Sequence, residues 1–474
     1  MLADCLRVNP TGGAVFDESV DMQRHALTWV VLFAVIAAMF IQLPQMAAKQ
    51  DSVIHTYSTL IEVDALAKQR FVESIEDERL VDGAIRGMML KLDPYSGYIA
   101  PDELAAFERR VHGDFIGVGV ELGIHDGHFT IIAPLEGGPA ALSGVLPGDQ
   151  LLAIDGVATK GLSLFDIEEM LTGRADSRAE LRLQRAGHEE PVEITVLRGP
   201  VAIGTVRGFR RLEDGTWDHM LDPDDRIGYV RVSTFCDNTM RDFDAALEKL
   251  VSADARGLIL DLRFNPGGLM QQAVEMVDRF LRDGAIVSTV TRRKAVHEYH
   301  ATDSESDVDF PVVILINEAS ASSSEIVAGA LQDHGRAVIV GERSFGKGSV
   351  QHLIPLNGQK AAVKLTVAYY RLPSGRIIHR QLRGAGDSWG VKPDVEVRLT
   401  NEERKAVLDA RRILDLPPSP RPVTTKEFLY SAPLDLYLDR QFSAAREVIL
   451  HHRIPRGSTE KKQGRRRCIL VSRP

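Results

Sequence analysis

The sequence predicts an α+β, multidomain protein with a mixed α/β core, and three patterns predict it. Two β-branched runs, Gly257 to Arg263 and Val312 to Ile316, each end in a turn of small or polar residues, as buried strands do. Segments with helical spacing, Met240 to Val251 and Leu269 to Leu281, alternate with such strands. A separate stretch from Gly113 onward is built of short alternating runs broken by Gly and Pro. With 474 residues, 44% hydrophobic and 26% charged, the chain has material for several folded units, and bulk disorder is excluded.

Taken from the N-terminus, the charge-free stretch His25 to Ala48 contains an apolar core, Leu27 to Leu43, long enough at the short limit to span a bilayer. It fits a signal peptide equally well, with small residues at Gln45-Met46-Ala47-Ala48 near a cleavage point, and either reading exports the rest of the chain. The preceding Met1 to Arg24 is acidic, against the positive-inside preference, so Met22 is an alternative start. Residues 51 to 111 read as helices from the spacing of Val53, Tyr57, Leu60 and Ile61 and of Leu80, Ile85, Met88, Met89 and Leu92, broken at Asp93-Pro94-Tyr95-Ser96-Gly97. Past Thr400 come a charged helix, a proline-rich break at Pro417 to Pro422, a final helix near Leu434 to His451, and a basic tail, Lys461 to Arg467, read as a solvated end.

A net charge of -9 argues against a nucleic-acid partner. Cys5, Cys236 and Cys468 are too far apart to suggest a disulfide framework, and no Cys/His cluster has metal-ligand spacing, so neither a metal nor another cofactor is expected. His334, in Gln332-Asp333-His334-Gly335, reads as a capping or solvated residue.

Chemistry concentrates in three turns. Ser322, in Asn317-Glu318-Ala319-Ser320-Ala321-Ser322-Ser323-Ser324-Glu325, stands where a strand enters a helix, and the free N–H groups and dipole of a helix N-terminus favour the anion formed when a carbonyl is attacked. Lys347, in Gly346-Lys347-Gly348, is a candidate base if burial strips solvent from its ammonium, and the amide oxygen of Gln351 could orient the amine. Phe264-Asn265-Pro266-Gly267-Gly268 is a glycine turn whose N–H groups can approach a ligand closely. Against this, Ser322-x-x-Glu325 is also a capping box in which nothing reacts. Chemistry alone does not choose Ser322 over Ser320, Ser323 or Ser324.

Leu262 to Gly268, Asn317 to Glu325 and Val340 to Gln351 together resemble the carboxyl-terminal processing peptidases, tail-specific serine proteases with a Ser-Lys dyad. The resemblance spans residues 55 to 400. It implies Ser322 as nucleophile, Lys347 as general base, Gln351 as its orienting partner, and the N–H groups of Gly268 and Ser323 as the oxyanion hole. The pattern Leu92-Asp93-Pro94-Tyr95-Ser96 is also like the family's N-terminal region, where it is structural, so Ser96 receives no catalytic role.

Phe115 to Val120, Gly138 to Val145 and Pro147 to Gly156 resemble a PDZ domain, a module that adds a peptide strand to an open sheet edge and binds its carboxylate in a nest of N–H groups. Phe115, Ile116, Gly117, Val118 and Gly119 would form that nest; taken alone, the two glycines also suit a bulged hairpin. The expected organisation is a flank with signal peptide or anchor over 1–48, a helical region over 49–112, a PDZ domain over 113–199, a tail-specific protease core over 200–400 and a helical extension with a basic tail over 401–474.

The expected function is a serine endopeptidase that holds unstructured, apolar C-termini of exported proteins in the PDZ domain and cuts upstream, at the periplasmic side of a bacterial inner membrane. The resemblance also allows a homodimer. One rival is an exported PDZ scaffold without catalysis. A second reads Gly341 to Gly348 as a phosphate loop, G-x-x-x-x-G-K-S/T, but Gly348 stands where the hydroxyl is required and Val350 to Pro355 reads as extended chain. Gly386-Asp387-Ser388-Trp389-Gly390 matches a nucleophile elbow without the flanking strand and helix, and is read as chance.

Overall fold

The structure is a computed structural model describing residues 57–101, 103–104, 107–108, 114–125, 127–135, 137–202, 204–212, 216–222, 224–294, 296–302, 308–356, 361–381, 389–415 and 439–451. The apolar stretch 27–43, the residue pair Met1 and Met22, the basic tail and Ser388 lie outside these residues. Among the described residues no helix is long and apolar enough to cross a membrane.

Contacts divide the chain into two compact units, one up to Met88 and one from Met89 onward. The first contains a helix ending at residue 70 and the start of the helix Asp77–Leu90. Lys68 pairs with Asp64 at 2.7 Å and with Asp77 at 3.1 Å, bridging the two helices.

In the second unit, a six-stranded antiparallel sheet is formed by segments between Val120 and Leu197. Its strands alternate as one face demands: Ala179, Leu181 and Leu183 are buried while Arg178, Glu180 and Arg182 are exposed. The helix Leu164–Leu171 covers that face with Ile167 and Leu171. Val120–His125 is the terminal strand of this sheet.

The larger core is built on four parallel strands in sequence order, β1 (Ile227–Val232), β2 (Gly257–Asp261), β3 (Val312–Ile316) and β4 (Ala337–Gly341), with Val395–Glu396 continuing the parallel run beside β4. All residues of β1, β2 and β3 are buried, because helices lie on both faces of a parallel sheet. One face packs on α1 (Thr239–Ser252), α2 (Met270–Asp278) and α3 (Ser323–Asp333) through Phe243, Leu250, Val277 and Leu331. A second, antiparallel sheet includes β5 (Ser349–Pro355) and β6 (Ala362–Arg371).

The opposite face is closed by α5 (Arg440–His451), whose Phe442, Ala445, Val448 and Ile449 meet Tyr229, Ile259, Val313 and Leu315. The preceding helix α4 (Asn401–Asp415) inserts the buried Arg411 among the charges at the end of β2. Both helices of the expected extension are therefore layers of the core. Strand Gly97–Ile99 also departs from the helical expectation for residues up to 111: it pairs with Ala362–Lys364, and Tyr98, Ile99 and Ala100 are buried there.

Candidate active site

The carboxyl ends of β2, β3 and β4 open into three turns, Leu262 to Gly268, Asn317 to Ser322 and Glu342 to Gly348. Because the strands run parallel, all their carboxyl ends lie at one edge of the sheet, and the three turns gather there. Side chains of the first two turns then weld them together. Asn265 is fully buried and donates to Val232 O at 2.9 Å, while its Oδ1 accepts from Gly267 N–H at 2.8 Å. Asn317 Oδ1 accepts from Phe264 N–H at 2.9 Å.

The geometry distinguishes the four serines. Ser320 Oγ donates to Leu262 O at 2.8 Å, Ser324 Oγ to Asn265 O at 3.0 Å and Ser323 Oγ to Gly268 O at 2.9 Å. Those three hydroxyls are buried and hold the glycine turn. Ser322 is only half-buried, and its hydroxyl makes none of these bonds to the glycine turn. It is the N-cap of α3 with φ 56° and ψ −115°, a conformation a non-glycine residue adopts only under constraint from its surroundings. Ser322 and Glu325 keep the capping-box arrangement, but the hydrogen bond in it runs from Ser322 N–H to Glu325 Oε2, at 2.8 Å.

Gly267 and Gly268 have φ of 99° and 144°. A Cβ on Gly267 would come within 2.7 Å of Ser322 Cβ, and one on Gly268 within 2.0 Å of Phe235 O. Only glycine lets this turn press against the serine. Ser323 is the first residue of α3, where an N–H has no partner within the helix, and neither its N–H nor that of Gly268 donates to a backbone carbonyl among the described residues.

The sequence pattern did not reveal that one carboxylate organises the whole centre. Glu325 is fully buried, and it accepts from Ser344 Oγ, from Gly346 N–H at 2.7 Å, from Lys347 N–H at 2.8 Å and from Ser322 N–H. Its Oε2 thus binds the backbones of both Ser322 and Lys347. Burial pushes the carboxyl above its ordinary 4.5, with those four donors pulling the other way. Tyr370 on β6 adds a second tie: its hydroxyl donates to Lys347 O and lies 3.1 Å from Ser322 O. A signal for Glu325 existed in the Ser322-x-x-Glu325 box at the start of α3; Tyr370 left none.

Lys347 is half-buried, and among the described residues its ammonium has no ion-pair partner. Burial lowers its pKa from 10.5; nearby Lys364 acts in the same direction and Glu325 opposes it. Its Nζ lies 5.2 Å from the centre of the Tyr95 ring. Gln351 on β5 donates through Nε2 to Ser349 Oγ at 2.9 Å and Thr366 Oγ1 at 3.3 Å, and among the described residues it makes no hydrogen bond to Lys347. The turn holding Lys347 leads into β5, an extended strand, which removes the helix a phosphate loop requires. His334 is the C-cap of α3, its ring nitrogen 2.7 Å from Ala285 O.

The expected nest belongs to the other sheet region. Asp114–Gly117 is a strand paired with Gly199–Ala202, so Phe115 and Ile116 sit in a ladder rather than a loop. Val118 N–H donates to Leu171 O at 3.0 Å, and Val118 O accepts from Ala140 N–H at 2.7 Å. Gly119, at φ 75°, turns the chain into the terminal strand Val120–His125 beside the helix Leu164–Leu171.

Comparison with known proteins places these features in a family. Residues 226–397 match peptidase family S41, residues 130–185 a PDZ domain, and residues 35–103 the N-terminal domain of the activating protease CtpB. A carboxy-terminal-processing protease of Bartonella bacilliformis is 36% identical over 335 residues, covering 70% of this chain and 72% of that one. The carboxy-terminal processing protease CtpA of Bacillus subtilis is 31% identical over 344 residues, with 72% and 69% coverage. A solved photosystem II D1 C-terminal processing protease is 33% identical and aligns over 69% of this chain and 84% of its own, at a TM-score of 0.42. A strand-end serine over a glycine turn, a half-buried lysine and a PDZ sheet thus occur in a chain that belongs to peptidase family S41, as a carboxy-terminal processing serine protease with a PDZ domain.

Proposed function

We propose that Ser322 is the nucleophile, Lys347 the general base, and the N–H groups of Gly268 and Ser323 the oxyanion hole. One observation carries the assignment: of the four clustered serines, Ser322 alone keeps its hydroxyl free of the glycine turn, and Glu325 Oε2 ties its backbone to that of Lys347. The neutral amine takes the Ser322 proton and the oxygen attacks the peptide carbonyl. Two N–H groups receive the oxyanion, the amine passes its proton to the leaving nitrogen, and water releases the acyl group. Gln351 would orient the amine through its amide oxygen.

The substrates are proteins with unstructured, apolar C-termini, held along the Val120–His125 edge with the terminal carboxylate at the Phe115 to Gly119 segment. The chain acts on the exported side of a bacterial inner membrane, with residues 27–43 as anchor or cleaved signal, and a homodimer is its candidate assembly. The domain limits 1–48, 49–112, 113–199, 200–400 and 401–474 go with this reading.

The test is cleavage of a model protein carrying apolar or charged C-terminal tails, with products mapped by mass spectrometry. Ser322→Ala and Lys347→Ala should abolish turnover and leave tail binding intact. For the wild type, kcat/KM should climb with pH as the amine loses its proton, on a limb below the ordinary lysine value of 10.5. Full activity in Lys347→Ala ends the dyad assignment, and tail binding without any cleavage by the wild type would favour the scaffold.

A further inference from the structure

We propose that Tyr95 is a positioning residue of this centre, an aromatic wall that keeps water from the Lys347 amine while leaving it free to reach Ser322. The inference rests on the assignment of Lys347 as base. The Leu92 to Ser96 motif has so far had only a structural role, yet its turn is built to aim this ring. Asp93 Oδ1 accepts from Tyr95 N–H at 2.7 Å and from Ser96 N–H at 2.8 Å, and Asp93 Oδ2 accepts from Ser96 Oγ at 2.8 Å. Ser96 Oγ in turn accepts from Thr366 N–H at 3.1 Å, fixing the turn to β6. The ring centre then lies 5.2 Å from Lys347 Nζ.

A second aromatic backs the first. His379 is 3% exposed, meets Tyr95 edge to face at 5.9 Å, and rests on Tyr369 at 5.0 Å. Burial lowers the His379 pKa and so favours the neutral ring beside the amine. The charged and titratable groups around the pair are Asp93 on the turn itself, Glu325 on α3, Lys364 and Tyr370 on β6, and His379 with Arg380 on the following loop. None forms an ion pair with Lys347 Nζ. A carboxylate in the place of Tyr95 would hold the amine protonated. Unlike a carboxylate, an aromatic face supplies no counter-charge to fix the amine as an ammonium, so a ring that excludes water favours the neutral base.

The experiment compares pH profiles of kcat/KM for the full chain and its variants on one protein substrate with an apolar tail. Tyr95→Ala admits water, so the basic limb should move up by about one pH unit and the rate at neutral pH fall about tenfold. Tyr95→Phe should keep the limb of the wild type, because the ring is retained. Tyr95→Leu, an apolar wall without a ring, should fall between them and serves if the alanine variant does not fold. The proposal is overturned if both the alanine and leucine variants keep the wild-type limb while losing rate, the pattern of a merely structural residue, or if Tyr95→Phe shifts as far as Tyr95→Ala. Lys347→Ala separates the two levels. If it is inactive while Tyr95→Ala keeps the limb, only the wall is wrong; if it is active, the base assignment has failed.

Discussion

Asp261, at the end of β2, and Glu325, in the first turn of α3, are both fully buried carboxylates, yet their surroundings are opposite. Asp261 is balanced by charge: Arg263 Nη2 donates to it at 2.8 Å, Arg411 also donates, and Tyr229 Oη donates at 2.8 Å. Arg263 continues to Asp439 at 2.7 Å and to Gln441 at 3.0 Å. Burial alone would raise the Asp261 pKa, but the two guanidiniums hold it well below the usual range. Among the described residues Glu325 has no ion-pair partner, only N–H and O–H donors, and burial pushes it up. The difference separates two jobs. The ionic cluster fastens α4 and α5 beneath the sheet and, through Arg411 Nη1 to Arg263 O at 2.9 Å, steadies the start of the glycine turn. Glu325 fixes where two backbones stand without placing a carboxylate against the lysine ammonium.

Asp261→Asn should produce the largest change. It leaves two guanidiniums buried with one partner fewer, a loss of about 3–5 kcal/mol in unfolding free energy by denaturant titration. Cleavage per folded molecule should change little. If stability held, the cluster would not be the fastening described.

Glu325→Gln should invert that pattern. One amide oxygen cannot serve four donors, and its NH2 would face N–H groups. We expect kcat/KM to fall about a hundredfold, near 2.7 kcal/mol, with a smaller loss of stability than Asp261→Asn. The pH dependence sharpens the contrast. Because the Glu325 pKa is raised, its contribution to stability grows as pH falls through the folded value and is complete below 4.5; in Glu325→Gln this gain should vanish. Because the Asp261 pKa is lowered, its contribution is present above 3.8 and is lost as pH falls below it. Thermal melts across the acid range read both.

The smallest effect belongs to Tyr370→Phe, which removes one tie between the Ser322 and Lys347 turns while Glu325 retains the other. About 1 kcal/mol of stability and a few-fold loss of kcat/KM are expected. A loss as large as that of Glu325→Gln would make the hydroxyl, rather than the carboxylate, the organiser.

Legibility followed the range of the interactions. The buried strands β1 to β4, the helices between them and the turns at Ser322, Lys347 and Gly268 could be read from the sequence, because periodicity and turn residues act over a few positions. Helix α5 could be read as a helix but not as a layer of the core, since the apolar face that covers it comes from strands far away in the chain.

The sequence by itself determined that a serine, a lysine and two glycines occupy strand-end turns of a mixed α/β core, because residue type and local spacing set backbone conformation there. Tertiary structure alone decided which serine stays off the glycine turn, that one buried glutamate holds both turns, and that a tyrosine from a distant turn meets the lysine. Each of those depends on where hydrogen-bond donors and ring faces meet after the sheet has formed, and no local pattern encodes such meetings.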